Sequence, residues 1–393
     1  MLNITALLLS SFGFVLIYAS SVFAEPLIYV TNSDTDDVTV IDTETNLSVG
    51  DSIPVERAPQ GIAISPDGTT AYVANTNDDS VSVIDITTNM AVTDPIAVGS
   101  APQGIAITPD GATVYVANFG SNDVSIIDTA TNMVVGDRIP VGTTPQDIAI
   151  SPDGNTAYVT NSDSDNVSVL DISTDIIVVN VPIEVGGEPV AIAITPDGTK
   201  AYVANFGSGT VSVIDTSSNT VDTTITIPDI DRETPSPVSI GITPDGSLAY
   251  VGNVTTNSIS VIETDTNTIF ARLTNRIDLI LGPSDVAITP DGERAYISDG
   301  NSEILVYNIA TNVLIDKIAL GSGPVALAIA PTSLSSPPGV APAEGNNGGG
   351  NSCSLAAAGS SGKSNILYLI IPALLLFRRI RKKYKMEGYQ NEH

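Results

Sequence analysis

A tyrosine returns along this chain at Tyr29, Tyr72, Tyr115, Tyr158, Tyr202, Tyr250 and Tyr296, at intervals of 43, 43, 43, 44, 48 and 46 residues. A fixed period of about 40 residues restricts the fold to repeat architectures, because a unit that small cannot bury both its faces and must stack on its neighbours. Each unit carries four apolar runs. The first reads GIAIS at Gly61, GIAIT at Gly104, DIAIS at Asp147, AIAIT at Ala191, SIGIT at Ser239, DVAIT at Asp285 and ALAIA at Ala326. The second holds the tyrosine and follows Pro-Asp-Gly at Pro66, Pro109, Pro152, Pro196, Pro244 and Pro290. Proline presets φ, aspartate caps the turn and glycine takes φ above zero, so this tripeptide predicts a tight hairpin. The third run is of the VSVID type, and a DTxTN-type turn leads to a fourth, such as MVVGDRIPV at Met133.

Alternation with period two fits strands, and helical periodicity is absent from the repeats. Four strands per unit of this length predict an all-β, seven-bladed β-propeller with four-stranded blades. The small residues of the first run fit crowding at a central axis. The two ends predict how the ring closes. The body begins at a second run, LIYVTN from Leu27, and ends at a first run, ALAIA at Ala326. The last strand then completes the blade begun by the first residues, a one-plus-three strap that leaves no open sheet edge.

Outside the repeats, residues 1–24 read as a signal peptide: an apolar stretch ending in Val22-Phe23-Ala24 before Glu25, with small residues at the positions a signal peptidase needs. The propeller is expected over 25–331. Residues 332–352 form a Pro/Gly/Ser-rich linker, and 353–393 a tail with an apolar helix at 366–377 and a basic cluster at 378–385. The apolar run is short for a membrane span, and the basic cluster predicts that this end stays cytoplasmic.

The body from Glu25 to Glu344 holds 42 acidic and 8 basic residues. That balance repels nucleic acid and attracts cations or basic partners. Cys353 is the only cysteine and His393 the only histidine, and there is no tryptophan. Haem, copper and zinc ligation and Ser-His or Cys-His nucleophiles are thereby excluded from the repeats.

The sequences YVTN at Tyr29 and Tyr158 and YVAN at Tyr72, Tyr115 and Tyr202, with SPDG and TPDG between them, resemble the YVTN-repeat β-propellers; YVGN at Tyr250 follows the pattern and YISD at Tyr296 departs from it. The resemblance implies the propeller fold and says little about activity, since relatives include surface-layer proteins, periplasmic proteins and redox-enzyme subunits. The tail, with GGGNSCSLA at Gly348 before the apolar run and the basic cluster, resembles tripartite C-terminal sorting signals of Gram-negative bacteria. That likeness implies Cys353 as a processing or lipid-attachment position and a membrane-anchored or surface-displayed protein, while Ala24 and Glu25 flank the expected signal-peptidase cut.

In a propeller the loops after the second and fourth strands share one face. Asp34, Asp36, Asp37, Asp78, Asp79, Asp123, Asp163, Asp165, Asp299 and Glu303 are therefore expected around one mouth. Two readings of these acids stay open. They supply hard oxygen ligands for Ca²⁺ or meet a basic partner, or they make turns and keep an exported protein soluble. The preferred functional expectation is a non-catalytic, monomeric, exported propeller, binding a protein, glycan or cation at the acidic face. The alternatives are a structural surface-layer-like component and a metal-dependent, lactonase-like hydrolase. The last requires acids on the first strands or on channel-facing loops; the first strands carry only Asp147 and Asp285, at their starts.

Overall fold

The structure, a computed structural model, describes residues 26–331 except 93, 174–177, 180–181, 230–232, 275–281, 301 and 322. The expected signal peptide with Ala24 and Glu25, the linker, Cys353 and the apolar tail lie outside the described residues. Among those described, no helix is long and apolar enough to cross a membrane.

Seven antiparallel sheets follow one another, each built as the repeat predicts. In the second blade the strands Pro59–Ile64, Thr70–Asn75 and Ser80–Asp85 pair in order, and Pro-Asp-Gly forms the first hairpin. Its glycines sit at φ of 70° to 74° from Gly68 to Gly292, a conformation that a side chain would strain. Asp67 accepts from Ser65 Oγ and from the N–H and hydroxyl of Thr69; the bonds from the hydroxyl two residues before and the N–H two residues after recur at Asp110, Asp153, Asp197 and Asp245. These bonds hold the five carboxyls below their ordinary pKa.

The first blade is assembled from both ends of the body. Leu27–Asn32 pairs with Pro324–Ile329 through Ile28↔Ile329, Tyr29↔Ala328 and Val30↔Leu327. This is the strap that the phase of the repeats predicts. The innermost strands Pro59–Ile64, Pro102–Ile107, Pro145–Ile150, Pro189–Ile194, Pro237–Ile242, Asp285–Ile288 and Pro324–Ile329 each lie against the next, so the ring is complete.

The fourth strands differ from the expectation. In blades one to four each is broken into two pairs of residues, such as Leu47–Ser48 with Ile53–Pro54 and Met133–Val134 with Ile139–Pro140. Blades five to seven keep continuous strands, Thr220–Thr226, Thr268–Thr274 and Val313–Ala319. The cause is local. Gly50 and Gly136 turn the chain with φ of 72° and 69°, and a proline ends or precedes each second piece; the continuous strands have neither residue.

The core lies between blades. Each of the seven hydrophobic clusters joins neighbouring sheets: one packs Tyr29, Val38 and Val40 on Ile62, Ala71 and Val73, and another packs Ile28 and Val30 on Tyr296 and Val306. The repeated tyrosines are core residues, at most 5% exposed. Six of their hydroxyls cross, among the described residues, to an asparagine of the next blade's DTxTN-type turn. Tyr29, Tyr72, Tyr158, Tyr202, Tyr250 and Tyr296 donate to the Oδ1 of Asn89, Asn132, Asn219, Asn267, Asn312 and Asn46 at 2.6 to 3.0 Å. The asparagine that closes the tyrosine strand works within its own blade. Asn118 Nδ2, for example, donates to Asp123 Oδ1 at 2.8 Å and Ser125 Oγ at 2.9 Å on the third strand.

Candidate active site in the central channel

The inner edges of the first strands surround the central channel. Along each of these strands the backbone N–H groups alternate between the sheet and the channel. At the third position the N–H faces the sheet: that of Asp147 donates to Thr160 Oγ1 and that of Ala326 to Thr31 Oγ1, both at 3.0 Å. The fourth-position N–H therefore faces the channel, and the fourth positions supply one such donor from each blade: Ile62, Ile105, Ile148, Ile192, Ile240, Val286 and Leu327.

Two acids meet four of these donors. Asp147 Oδ1 accepts from Ile148 N at 2.8 Å and its Oδ2 from Ile192 N, in the next blade, at 2.9 Å. Asp285 repeats the arrangement with Val286 N and Leu327 N, both at 2.8 Å. Each carboxyl thus bridges two blades, and Asp285 holds the strand that closes the ring. Both side chains are partly exposed at the channel wall yet surrounded by protein. Desolvation raises the Asp147 carboxyl to about 7, against the pull of its two N–H donors, and the charge of Asp285 raises it further. Desolvation raises Asp285 to about 6. Asp285 shows no reciprocal shift because it ionises first, against a neutral Asp147; the second proton then leaves in the field of the first charge.

The other third positions are Gly61, Gly104, Ala191, Ser239 and Ala326. Glycine is required at two of them. A Cβ on Gly61 would lie 2.4 Å from Gln103 O, and one on Gly104 would lie 2.6 Å from Asp147 Cα. The sequence signal for the channel pair is therefore a charged residue where the other repeats carry only small ones.

The loop acids expected around one mouth are engaged in turns and between blades. Asp36, Asp79 and Asp165 sit at φ of 58°, 51° and 52°, and each reaches the N–H of the loop entering the next blade. They accept from Ala58 N at 2.8 Å, Ala101 N at 2.7 Å and Glu188 N at 2.8 Å, and Asn122 does the same for Thr144 N at 2.8 Å. Asp37 accepts from Asn32 Nδ2 and Ser52 Oγ. Asp78 is bound by the guanidinium and the N–H of Arg57, which hold its pKa below the ordinary value. Asp123 accepts from Asn118 and Ser121 and pairs with Arg138 at 3.2 Å. Asp299 is buried and receives Ser302 N and Glu303 N, while Glu303 lies 3.7 Å from Lys317 Nζ. Asp34 is exposed beside Gly323, and the N–H of Asp163 donates to Thr144 Oγ1 at 2.8 Å. Among the described residues, no three His, Cys, Asp or Glu side chains come together in a way that could hold a metal ion.

The family model for the lactonase, 7-bladed β-propeller, matches residues 90–180 and 177–313. No curated protein sequence matches the chain. Among solved structures, hydrazine synthase of Kuenenia stuttgartiensis is similar at 26% identity and a TM-score of 0.61, over 75% of this chain and 92% of that one. A protein of unknown function from Desulfotomaculum acetoxidans is 20% identical with a TM-score of 0.67, over 77% and 98%. A candidate 6-phosphogluconolactonase from Bacteroides uniformis is 20% identical with a TM-score of 0.65, over 78% and 99%. The last two share the fold.

The lactonase match overturns the expectation of a non-catalytic binding propeller, and with it the expectation that the chain is no enzyme. The physical reason lies in the inventory used. Absence of His and Cys from the repeats removes haem, copper and zinc ligation and Ser-His or Cys-His nucleophiles, but it leaves acid–base chemistry open to carboxyls whose pKa values desolvation brings near neutrality. With more than half of its length under that model and seven blades closed in a ring, the chain belongs to the lactonase family of seven-bladed β-propellers.

Proposed function

We propose that this protein hydrolyses a small lactone in the central channel, with Asp285 as general base and Asp147 as general acid. The observation that carries the reading is the channel pair itself, two carboxyls on the inner strands that each accept backbone N–H groups from two blades and that burial raises to about 6 and about 7. Between those values Asp285 is ionised while Asp147 keeps its proton, so one site holds both a base and an acid. Each oxygen that accepts a backbone N–H retains a further lone pair for water.

In the reaction Asp285 takes a proton from water as the water oxygen bonds to the lactone carbonyl carbon. The tetrahedral oxyanion then collapses, the ring C–O bond breaks, and Asp147 gives its proton to the departing alkoxide. The product is a hydroxy acid, and the two carboxyls regain their starting states by proton exchange with solvent. The apolar N-terminal stretch and the sorting-like tail support a cell-envelope location for this activity.

The test is turnover of a panel of five- and six-membered lactones, read as acid release between pH 5 and 9. We expect a bell-shaped profile with limbs near the two channel values, and a loss of about a hundredfold or more in kcat for Asp147→Asn and Asp285→Asn. Absence of turnover across the panel, or full activity in both variants, refutes the assignment.

A further inference from the structure

We infer that the backbone N–H groups of Ile62 and Ile105 form a binding pair for a carbonyl oxygen, and for the oxyanion that develops from it, on the arc of the channel between Asp285 and Asp147. The ring of seven fourth-position donors is unevenly used. Asp147 occupies those of Ile148 and Ile192, and Asp285 those of Val286 and Leu327. Three remain: Ile62 and Ile105 in adjacent blades, and Ile240 alone on the other side. The uneven use follows from the third position of each strand, whose side chain points to the next blade's donor.

At Ile192 the side chain of Asp147 fills that line of approach. At Ile105 the equivalent residue is Gly61, and its missing Cβ would stand 3.3 Å from Ile105 N. No side chain can cover the donor there, because any Cβ at position 61 would collide with Gln103 O. Ile62 is left bare in the same way, by its own Gly61 and by the methyl group of Ala326 in the preceding blade. A second orphan lies on the same strand: Gln103 Nε2 is buried without a hydrogen-bond partner. Donors left unpaired in a protein interior are costly, and the cost is recovered when an acceptor arrives.

Order around the ring supplies the rest. The bare pair is flanked on one side by the strands that Asp285 bridges, in blades seven and one. On the other side are those that Asp147 bridges, in blades four and five. A carbonyl held by Ile62 and Ile105 therefore has a carboxyl to either side, and backbone N–H groups beside the carbonyl stabilise the charge of a tetrahedral intermediate. As a carbonyl site the pair stands on its own; its part in lactone hydrolysis rests on the proposed function.

The full chain labelled with ¹⁵N-isoleucine, with Ile62→Val and Ile105→Val to assign the signals, separates these claims. Titration with δ-valerolactam, a neutral cyclic amide of lactone shape, should move the Ile62 and Ile105 amide resonances on one saturable curve. Those of Ile148 and Ile192 should move less. No saturable shift at Ile62 and Ile105, or a shift led by Ile148 and Ile192, overturns the site. Gly61→Asp would copy the Asp147 cap onto the pair, but the collision with Gln103 makes its folding doubtful. A backbone ester at Ile105 removes only the N–H. It should weaken lactam binding about tenfold and lower kcat about a hundredfold, whereas an ester at Ile240 leaves both unchanged. If lactam binds at the pair and no lactone turns over, the hydrolase reading fails and the carbonyl site stands. If lactones turn over and the Ile105 ester keeps full kcat, the oxyanion role fails and the hydrolase reading stands.

Discussion

Replacing Asp147 by asparagine should remove a measurable part of the pH dependence of stability. The carboxyl titrates near 7 in the folded protein and near its ordinary 3.8 when unfolded. A raised carboxyl favours folding fully below 3.8, and that contribution is lost as pH rises towards 7, because the folded state goes on holding a proton that the unfolded chain has released. Each pH unit in that window is worth about 1.4 kcal/mol. From pH 5 to 8 the wild type therefore loses about 2.7 kcal/mol before screening, and about 1 to 3 kcal/mol once channel water is counted. Asparagine does not titrate. It offers one acceptor oxygen to two N–H groups, so the variant is weaker by a further amount of about 1 to 3 kcal/mol at every pH. Urea midpoints at pH 5 and pH 8, followed by far-ultraviolet circular dichroism, measure both effects. The deficit of Asp147→Asn relative to wild type should shrink on going from pH 5 to pH 8. An equal deficit at the two values would show that the channel carboxyl is ionised throughout, and the acid role assigned to Asp147 would fall with it.

Other outcomes follow from the blade junctions and the tail. Tyr72→Phe removes the hydroxyl that donates to Asn132 at 3.0 Å and should cost about 0.5 to 1.5 kcal/mol in urea unfolding, with the channel activity kept. Asp79→Ala strips the acceptor from Ala101 N and should cost about 1.5 to 3 kcal/mol, whereas Asp34→Ala, at an exposed position, should stay within about 0.5 kcal/mol of wild type. Equal effects at the two aspartates would deny the junction role. Gly61→Ala should lower the thermal midpoint sharply, since its Cβ falls 2.4 Å from Gln103 O; an unchanged midpoint would mean that the inner strands are further apart than described. Fractionation of cells carrying wild type and Cys353→Ala, read by mass and location, tests processing of the tail, and identical behaviour of the two removes it.

The architecture was legible because its determinants are local or periodic. Pro-Asp-Gly forces a hairpin wherever it stands, alternation of apolar residues needs no partner to be recognised, and the phase of the first and last runs dictates the strap. The broken outer strands were less visible, since MVVGDRIPV reads as one apolar run until Gly136 is seen to turn. The loop acids illustrate a harder limit. Aspartate in a turn looks the same whether it binds its own loop or, like Asp79, reaches the N–H of Ala101 in the next blade. That distinction depends on how blades are juxtaposed. The channel pair sat in plain view as the charged third residues of DIAIS and DVAIT. What the sequence could not convey was their environment: two inner strands three blades apart become neighbours across a channel only when the ring has closed, and desolvation and mutual repulsion arise from that closure.

Pairing of Leu27–Asn32 with Pro324–Ile329 also has a bearing on synthesis. Of the described strands, the first to leave the ribosome must wait for the last. At about 5 to 20 residues per second, the roughly 300 intervening residues impose a delay of about 15 to 60 s, during which the inward side of Leu27–Asn32 has nothing to bond. A message truncated before Pro324 would yield six finished sheets and one that lacks its innermost member. Such a product should be a target for chaperones and proteases, whereas a circular permutant that starts at Pro324 and joins it directly to Leu27 would shed the wait altogether.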